Sequence, residues 1–567
     1  MNSTRKFFLA SCFILTIPMM LISQDKTARR NLMMNMHQET QNDQYLPNPN
    51  NPVKTSPPFV FERSGFFSAQ VNVDQNGQNI LGDAANEPSI AIDPTDPENM
   101  VIGWRQFDNV YSSFRQAGYG YTTDGGLIWT FPGVINQGIF RSDPVLDYDI
   151  NGTFYYNSLT SASSVYYCDV FRSTDGGATW DAGVDAHGGD KQWMTIDRSG
   201  GMGTGHIYSN WTAYYSNCLP GFFTRSTDGG NTYEDCIGIP GEPYWGTLAV
   251  GPDGELYVVG SDGWGAQVSK STTAQDPAYV VIWENTTIVN MDGTLSGWSP
   301  VNPAGLTGQL YIDVDRSNSP SRGNVYVVAS VERYSVYDPA DVMFVKSTDG
   351  GITWSDPIRI NDDPYTGKYQ WFGTMSVAPN GRIDVIWLDT RDAEPGTYMS
   401  ELYYSYSTDQ GETWSINEKL SDAFDPHLGW PQQEKMGDYF EMESDNTYAH
   451  LAWAGTFNGE QDVYYGRITP PVTGIESGNT KVTAAITSFP NPFSDKATIR
   501  YTVPVSSKVK VEILTMYGSI VETVVNKALR PGTYTHYFSA ANLTSGYYYC
   551  RITAGNSSAT SGMVCVK

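Results

Sequence analysis

The sequence predicts an all-β protein, a seven-bladed β-propeller (alternatively six-bladed) followed by a small β-sandwich. Three observations carry this. An octet of the form Ser/Thr-Thr-Asp-x-Gly-x-x-Trp/Tyr recurs five times, at Thr122–Trp129, Ser173–Trp180, Ser226–Tyr233, Ser347–Trp354 and Ser407–Trp414. A second pattern, two short apolar strands around an Asp- or Gly-containing turn, recurs seven times between Glu87 and Trp453, with starts roughly 50 to 65 residues apart, near the length of a propeller blade. The composition, with 55 Gly, 37 Tyr and 15 Trp in 567 residues, supplies the turns and large apolar side chains of such a fold.

Each octet lies between aromatic or β-branched runs, so it reads as the turn of an antiparallel hairpin. The Asp accepts backbone N–H bonds within its own turn, the following Gly supplies a positive φ, and the closing Trp or Tyr packs back into the core. These copies resemble the Asp-box of bacterial sialidases. The resemblance implies that Asp124, Asp175, Asp228, Asp349 and Asp409 are structural and lie on the face away from any active site.

Taken in order, residues 1–23 read as a secretory signal, with Arg5 and Lys6 before an apolar run from Phe7 to Ile22. Residues 24–61 are rich in Asn, Gln and Pro and are expected to be a flexible leader. Residues 62–470 hold the repeats. The fourth repeat has Ser271-Thr272-Thr273 where its octet belongs. The seventh ends at Val463–Arg467 with no fourth strand, which an N-terminal strand near Val71 is expected to supply, removing the open edges. Residues 471–485 are a linker.

Residues 486–567 form a second β-domain. Phe489-Pro490-Asn491-Pro492-Phe493, Ala497–Tyr501, Val509–Leu514, Met516-Tyr517-Gly518, Leu543–Tyr549 and Gly562–Lys567 resemble, in that order, the C-terminal sorting domain of the type IX secretion system of Bacteroidetes. The resemblance implies an immunoglobulin-like sandwich, a partnership with the secretion machinery, and export across the outer membrane with removal of this domain and release or attachment to the cell surface.

The net charge of −26 argues against nucleic acid as a partner. No segment after the signal is long and apolar enough to span a membrane, and a monomer is expected. Export permits disulfides; Cys218–Cys236 and Cys550–Cys565 are the expected pairs. No cysteine has zinc-site spacing, and no cofactor or metal is implied. Asp147-x-Asp149-x-Asn151-Gly152 opens like a calcium loop, but its twelfth position is Ser158, so it reads as a hairpin.

Chemistry is expected on the face opposite the octets, where first strands begin and second strands end. Candidate catalytic residues there are Arg105, Arg141, Asp143, Glu242, Tyr244, Arg333, Asp389, Arg391, Asp438 and Tyr439. Arginine suits a carboxylate ligand, and paired carboxylates suit glycosidic cleavage. Glu242 and Tyr244, two apart on a strand, match in type the sialidase nucleophile pair. The expected function is therefore a secreted, glycan-active propeller, most like a sialidase-type glycoside hydrolase. The alternative is a non-catalytic propeller that binds a glycan, glycoprotein or other protein. The sialidase Phe/Tyr-Arg-Ile-Pro motif is missing, and Phe140-Arg141-Ser142-Asp143-Pro144 echoes it only loosely.

Overall fold

The computed structural model describes residues 28, 31, 43–163, 165–212, 216–296, 298–470, 485–503, 507–515, 519–530, 532–541, 543–555 and 557–567. The signal, all of the leader up to residue 42 except residues 28 and 31, and the linker up to residue 484 lie outside them. The chain divides into two compact units, with the boundary at Pro470.

In the first unit, seven antiparallel sheets follow one another along the chain. Their innermost strands are Ala84–Ile92, Ser142–Tyr148, Trp193–Ile196, Leu248–Val250, Tyr311–Val314, Gln370–Val377 and Glu441–Ser444. Each packs on the next, and the last packs on the first, so the ring is closed. The seventh sheet joins the chain's ends: Phe66–Gln70 pairs antiparallel with Asp462–Ile468, Ala69 opposite Tyr465. Val60–Arg63 adds a further strand outside it. Closure leaves no blade edge facing an empty sector. The cores between blades are built from fully buried aromatics on second strands, among them Trp104, Trp387 and Trp453. Burying each such ring is worth about 2–3 kcal/mol.

The octets join third to fourth strands and share one hydrogen-bond plan. Asp349 Oδ1 accepts from Ser347 Oγ (2.8 Å), Ile352 N (3.1 Å) and Thr353 N (2.9 Å), and Ser347 Oγ accepts from Gly351 N (2.8 Å). Asp124, Asp175, Asp228 and Asp409 repeat it. The residue after the Asp takes a left-handed φ each time. In the fifth copy that residue is Gln410, at 65°, where the others have glycine.

Two expectations are corrected. The leader is docked rather than flexible from residue 43 on. Tyr45 Oη donates to Asp108 (3.0 Å), Asn109 donates to the Pro47 carbonyl (3.0 Å), and Thr55–Ser56 pairs with Asn79–Ile80. Asn48 and Asn50 both donate to the Leu81 carbonyl just before the first blade (3.2 and 2.7 Å), which composition alone does not reveal. The Cys550–Cys565 disulfide does not form. The hairpin register sets Cys550 opposite Ser561 and Cys565 opposite Gly546, four residues apart along the ladder, roughly 13 Å. Both are buried thiols, as is Cys168. Cys218 and Cys236 are disulfide-bonded.

The second unit is a sandwich of a three-stranded sheet (Ala485–Phe489, Lys496–Val503, Gly532–Ser539) on a four-stranded one (Ser507–Thr515, Ile520–Leu529, Gly546–Ala554, Ser557–Cys565). Ile499, Val511, Ile513, Ile552 and Met563 fill its core.

Candidate functional site

The face opposite the octets begins with a repeated backbone device. The first strands of five blades enter through a residue at positive φ: Glu87 (49°), Asp143 (45°), Lys191 (55°), Trp245 (58°) and Phe372 (58°). The ladder slips there, between Asn86 and Ser89, Asn157 and Leu159, and Trp371 and Thr374. Such bulges re-aim a side chain, and each left-handed non-glycine residue costs on the order of 1 kcal/mol or more.

In the first three blades this device turns charged residues onto the ring axis, where they meet partners from the seventh. Arg105 Nε lies 3.1 Å from Glu87 and donates to Asn86 (2.9 Å). Lys435 Nζ lies 3.3 Å from Glu87 and 2.7 Å from Asp438. Lys191 Nζ lies 2.8 Å from Asp438, and its backbone N–H donates to Asp143 (3.0 Å). Burial pushes the Glu87 carboxyl up to about 8, against the pull of Arg105 and Lys435. Asp438 is held well below the usual carboxylate range by Lys191, Lys435 and Arg105, despite its burial. Tyr439 donates to the Pro144 carbonyl (2.7 Å) and packs edge-on against Trp193.

This cluster is sealed. The loop around Asn302 covers it: Leu306 N donates to Asp438 (2.8 Å), and Asn302 Nδ2 donates to the Gly437 carbonyl (2.8 Å). Glu87, Arg105, Asp143, Lys191, Asp438 and Tyr439 are all buried. The arrangement is an ionic plug between blades, its charged side chains taken out of solvent.

The four candidate arginines are each engaged by carboxylates of the protein. Each is closed by carboxylates of its own blade or the adjoining connection: Arg105 by Glu87, Arg141 by Asp169 (2.7 Å), Arg333 by Asp292 (2.6 Å) and Asp341 (2.8 Å), Arg391 by Asp389 (2.8 Å) and Asp362 (2.7 Å). Arg391 also lies over the Tyr403 ring. Glu242 is exposed in a turn, whereas Tyr244 is buried with its ring edge-on to Trp245 (4.9 Å).

This face carries a groove of about 320 Å³ at the fifth blade, lined by Trp298, Pro300, Glu332, Arg333, Tyr337, Asp338 and Tyr369 among others. Trp298 and Tyr337 are 64% and 96% exposed. Around them the frame is fixed. Arg333 is clamped by Asp292 and Asp341 as above. Asp338 accepts from Ala340 N (3.1 Å) and Gly367 N (3.2 Å), and burial, then Asp341, pushes its carboxyl up to about 6. Tyr334 Oη reaches the Trp264 carbonyl (2.5 Å). Rigid walls, flat aromatic faces and carboxylates in one groove can hold a sugar ring: its C–H face stacks and its hydroxyls donate. Of the groove residues, the sequence singled out Arg333 as a second-strand exit. It missed Trp298 and Tyr337, which sit in loops. The only signal for them was the aromatic density of Trp298-Ser299-Pro300 and Tyr334–Tyr337.

Residues 487–567 match the family described as secretion system C-terminal sorting domain. This sorting domain marks the chain for export across the outer membrane, to the cell surface or beyond. Over 354 residues the chain is 25% identical to a probable oligoxyloglucan-reducing end-specific xyloglucanase of Neosartorya fischeri, covering 55% of this chain and 38% of that protein. It thus spans well under half the length of the curated relatives it matches. Among solved structures, a protein of unknown function from Dyadobacter fermentans is 13% identical, with a TM-score of 0.39, covering 74% of this chain and 99% of that one. Trypanosoma rangeli sialidase in complex with 2,3-difluorosialic acid is 10% identical, with a TM-score of 0.37, covering 92% and 89%.

Proposed function

We propose that this chain is an exported glycan-binding propeller that holds an uncharged sugar chain in the groove at its fifth blade. The observation that carries the reading is the pair of solvent-facing rings, Trp298 and Tyr337, beside Glu332 and Asp338 in a groove with a clamped frame. Two physical facts favour a neutral ligand. A net charge of −26 repels acidic glycans at long range. The arginines that would recognise a sialic-acid carboxylate are engaged by carboxylates of the protein itself. The curated relative is named for xyloglucan, an uncharged polysaccharide, which agrees in chemical class.

A second reading, hydrolysis of the bound glycan, is favoured by Asp338. A carboxyl raised to about 6 holds its proton in mildly acidic solution, as a general acid must, and Glu332 lines the same groove. The N-terminal signal serves the first membrane crossing and the sorting domain the second, and the mature chain acts as a monomer.

The test is calorimetric titration of the full chain with neutral β-glucan and xyloglucan oligosaccharides and with sialosides, followed by mass analysis of each mixture. Saturable binding of a neutral glycan, without binding of sialosides, supports the proposal. Release of shortened products selects the hydrolase reading. Binding only of sialosides, or of no glycan, refutes both.

A further inference from the structure

Blade three is the least regular of the ring. Its sheet has three strands, Trp193–Ile196, Ile207–Asn210 and Phe223–Ser226, and beyond the octet only an isolated bridge, Phe223 to Ile237, continues it. The disulfide Cys218–Cys236 pins the two flanks of that third strand together, with Cα atoms 5.9 Å apart. A third residue joins them from the preceding blade. His187 follows Val184–Asp185 at a left-handed φ of 58°, and its N–H donates to Asp185 (2.9 Å). Its carbonyl accepts from Cys168 N. A ring nitrogen of His187 and the two Sγ atoms all lie within 4.8 Å of one another. Among the described residues no other group of three His, Cys, Asp or Glu side chains meets that criterion.

We propose that His187, Cys218 and Cys236 form a redox-gated site for a thiophilic divalent cation of the zinc class. In the oxidised chain the sulfurs are bonded to each other and the site is shut. A dithiol opens it. The S–S bond breaks, taking up two electrons and two protons, and the dithiol becomes a disulfide. The cation then displaces the two thiol protons and is held by two thiolates and the imidazole, with water in the fourth position. With Zn–S about 2.3 Å and Zn–N about 2.0 Å, ligand atoms of a tetrahedral site lie roughly 3.5–3.8 Å apart. Once the bond is broken the two sulfurs, about 2 Å apart while joined, part by roughly 2 Å, and the His187 nitrogen closes on them by up to about 1.3 Å, both within the reach of side-chain rotation on half-buried residues. The intermediate burial of all three leaves the ion a path. The metal then takes over the cross-link that the disulfide provides, and blade three stays tied in either state. Sequence spacing conceals the site, since the ligands come from two blades and 49 residues of chain separate His187 from Cys236.

The test uses the full chain and Co²⁺ as the probe. The chain is treated with a dithiol under native conditions, freed of it without oxygen, and titrated. Near-ultraviolet circular dichroism monitors the fold, and alkylation counts the thiols. The expected result is a thiolate-to-cobalt charge-transfer band saturating at one ion per chain, displaced by Zn²⁺ and absent from the unreduced chain. His187→Ala should weaken binding by about 10- to 100-fold or more. Cys218→Ser should abolish the band, and Cys168→Ser should leave it unchanged. A reduced, folded chain without the band overturns the proposal. So does binding indifferent to His187→Ala, or a disulfide that a dithiol does not reduce while the fold persists.

Discussion

Asp438 offers a sharp perturbation, because its carboxylate balances two buried ammonium groups. Asp438→Asn preserves the shape and leaves one amide oxygen to accept from Leu306 N, but removes the charge that Lys191 and Lys435 share at 2.8 and 2.7 Å. Both lysines stay buried, Lys191 with Asp190 at 3.9 Å and Lys435 with the Glu87 carboxyl at 3.3 Å, which ionises more readily once the Asp438 charge that helps hold it up is gone. Stranding one partner of a buried pair costs about 3–5 kcal/mol. The second contacts keep the total near that range rather than twice it. Urea denaturation at pH 7, with the linear extrapolation of its midpoint and slope, measures the loss. Lys191→Met on the Asp438→Asn background should recover at least about 1 kcal/mol, since it removes one stranded charge. Glycan binding by the folded variant should be unchanged, because Asp438 lies in the sealed plug and not in the groove. A loss below about 1 kcal/mol accompanied by loss of ligand binding would refute the assignment of the plug as structural.

Further outcomes follow from the same geometry. The carboxyls of Glu87 and Asp462 are raised to about 8 and about 7, so between about pH 4 and those values the folded chain binds more protons than the unfolded one. Stability must therefore fall as pH rises through that window. Denaturation midpoints at pH 5 and pH 8.5 check the sign, and Asp462→Asn should flatten the slope. Asp349 shows the opposite linkage: its carboxyl is lowered to about 2 by hydrogen bonds from Thr353 and Ser347, so its contribution is present above about pH 4 and lost as pH falls toward 2. Replacing it with Ala should cost about 1–2 kcal/mol at pH 7 and leave glycan binding intact. Alkylation of the unfolded chain lacking residues 1–23 but keeping the sorting domain should label three thiols before reduction, Cys168, Cys550 and Cys565, and two more after it.

Much of the fold was legible because its signals are local. An octet that places Asp, Gly and an aromatic ring at fixed offsets encodes its own turn, and five copies encode a repeat. The missing fourth strand after Arg467 pointed to an N-terminal partner, and Phe66–Gln70 fills that place. Less of the site was legible. Arg105, Arg141, Arg333 and Arg391 occupy the expected strand ends, but which carboxylate closes each one depends on blade curvature and loop path. Asp438 and Lys191, 247 residues apart, meet only because the ring closes. Trp298 and Tyr337 carry no periodicity, since loop residues need none. The Cys550–Cys565 expectation failed on hairpin register: symmetry about a turn in sequence is not opposition in a ladder.

The most direct measurement is the affinity of the full chain for its best neutral glycan, compared across Trp298→Ala, Tyr337→Ala, Arg141→Ala and Arg391→Ala, each verified as folded. The expected result is a loss of about 1–2 kcal/mol, roughly 5- to 30-fold, for each aromatic truncation, with little change in affinity for the folded arginine variants. Binding that survives the loss of both aromatic rings but disappears with either arginine would contradict the groove as the ligand site.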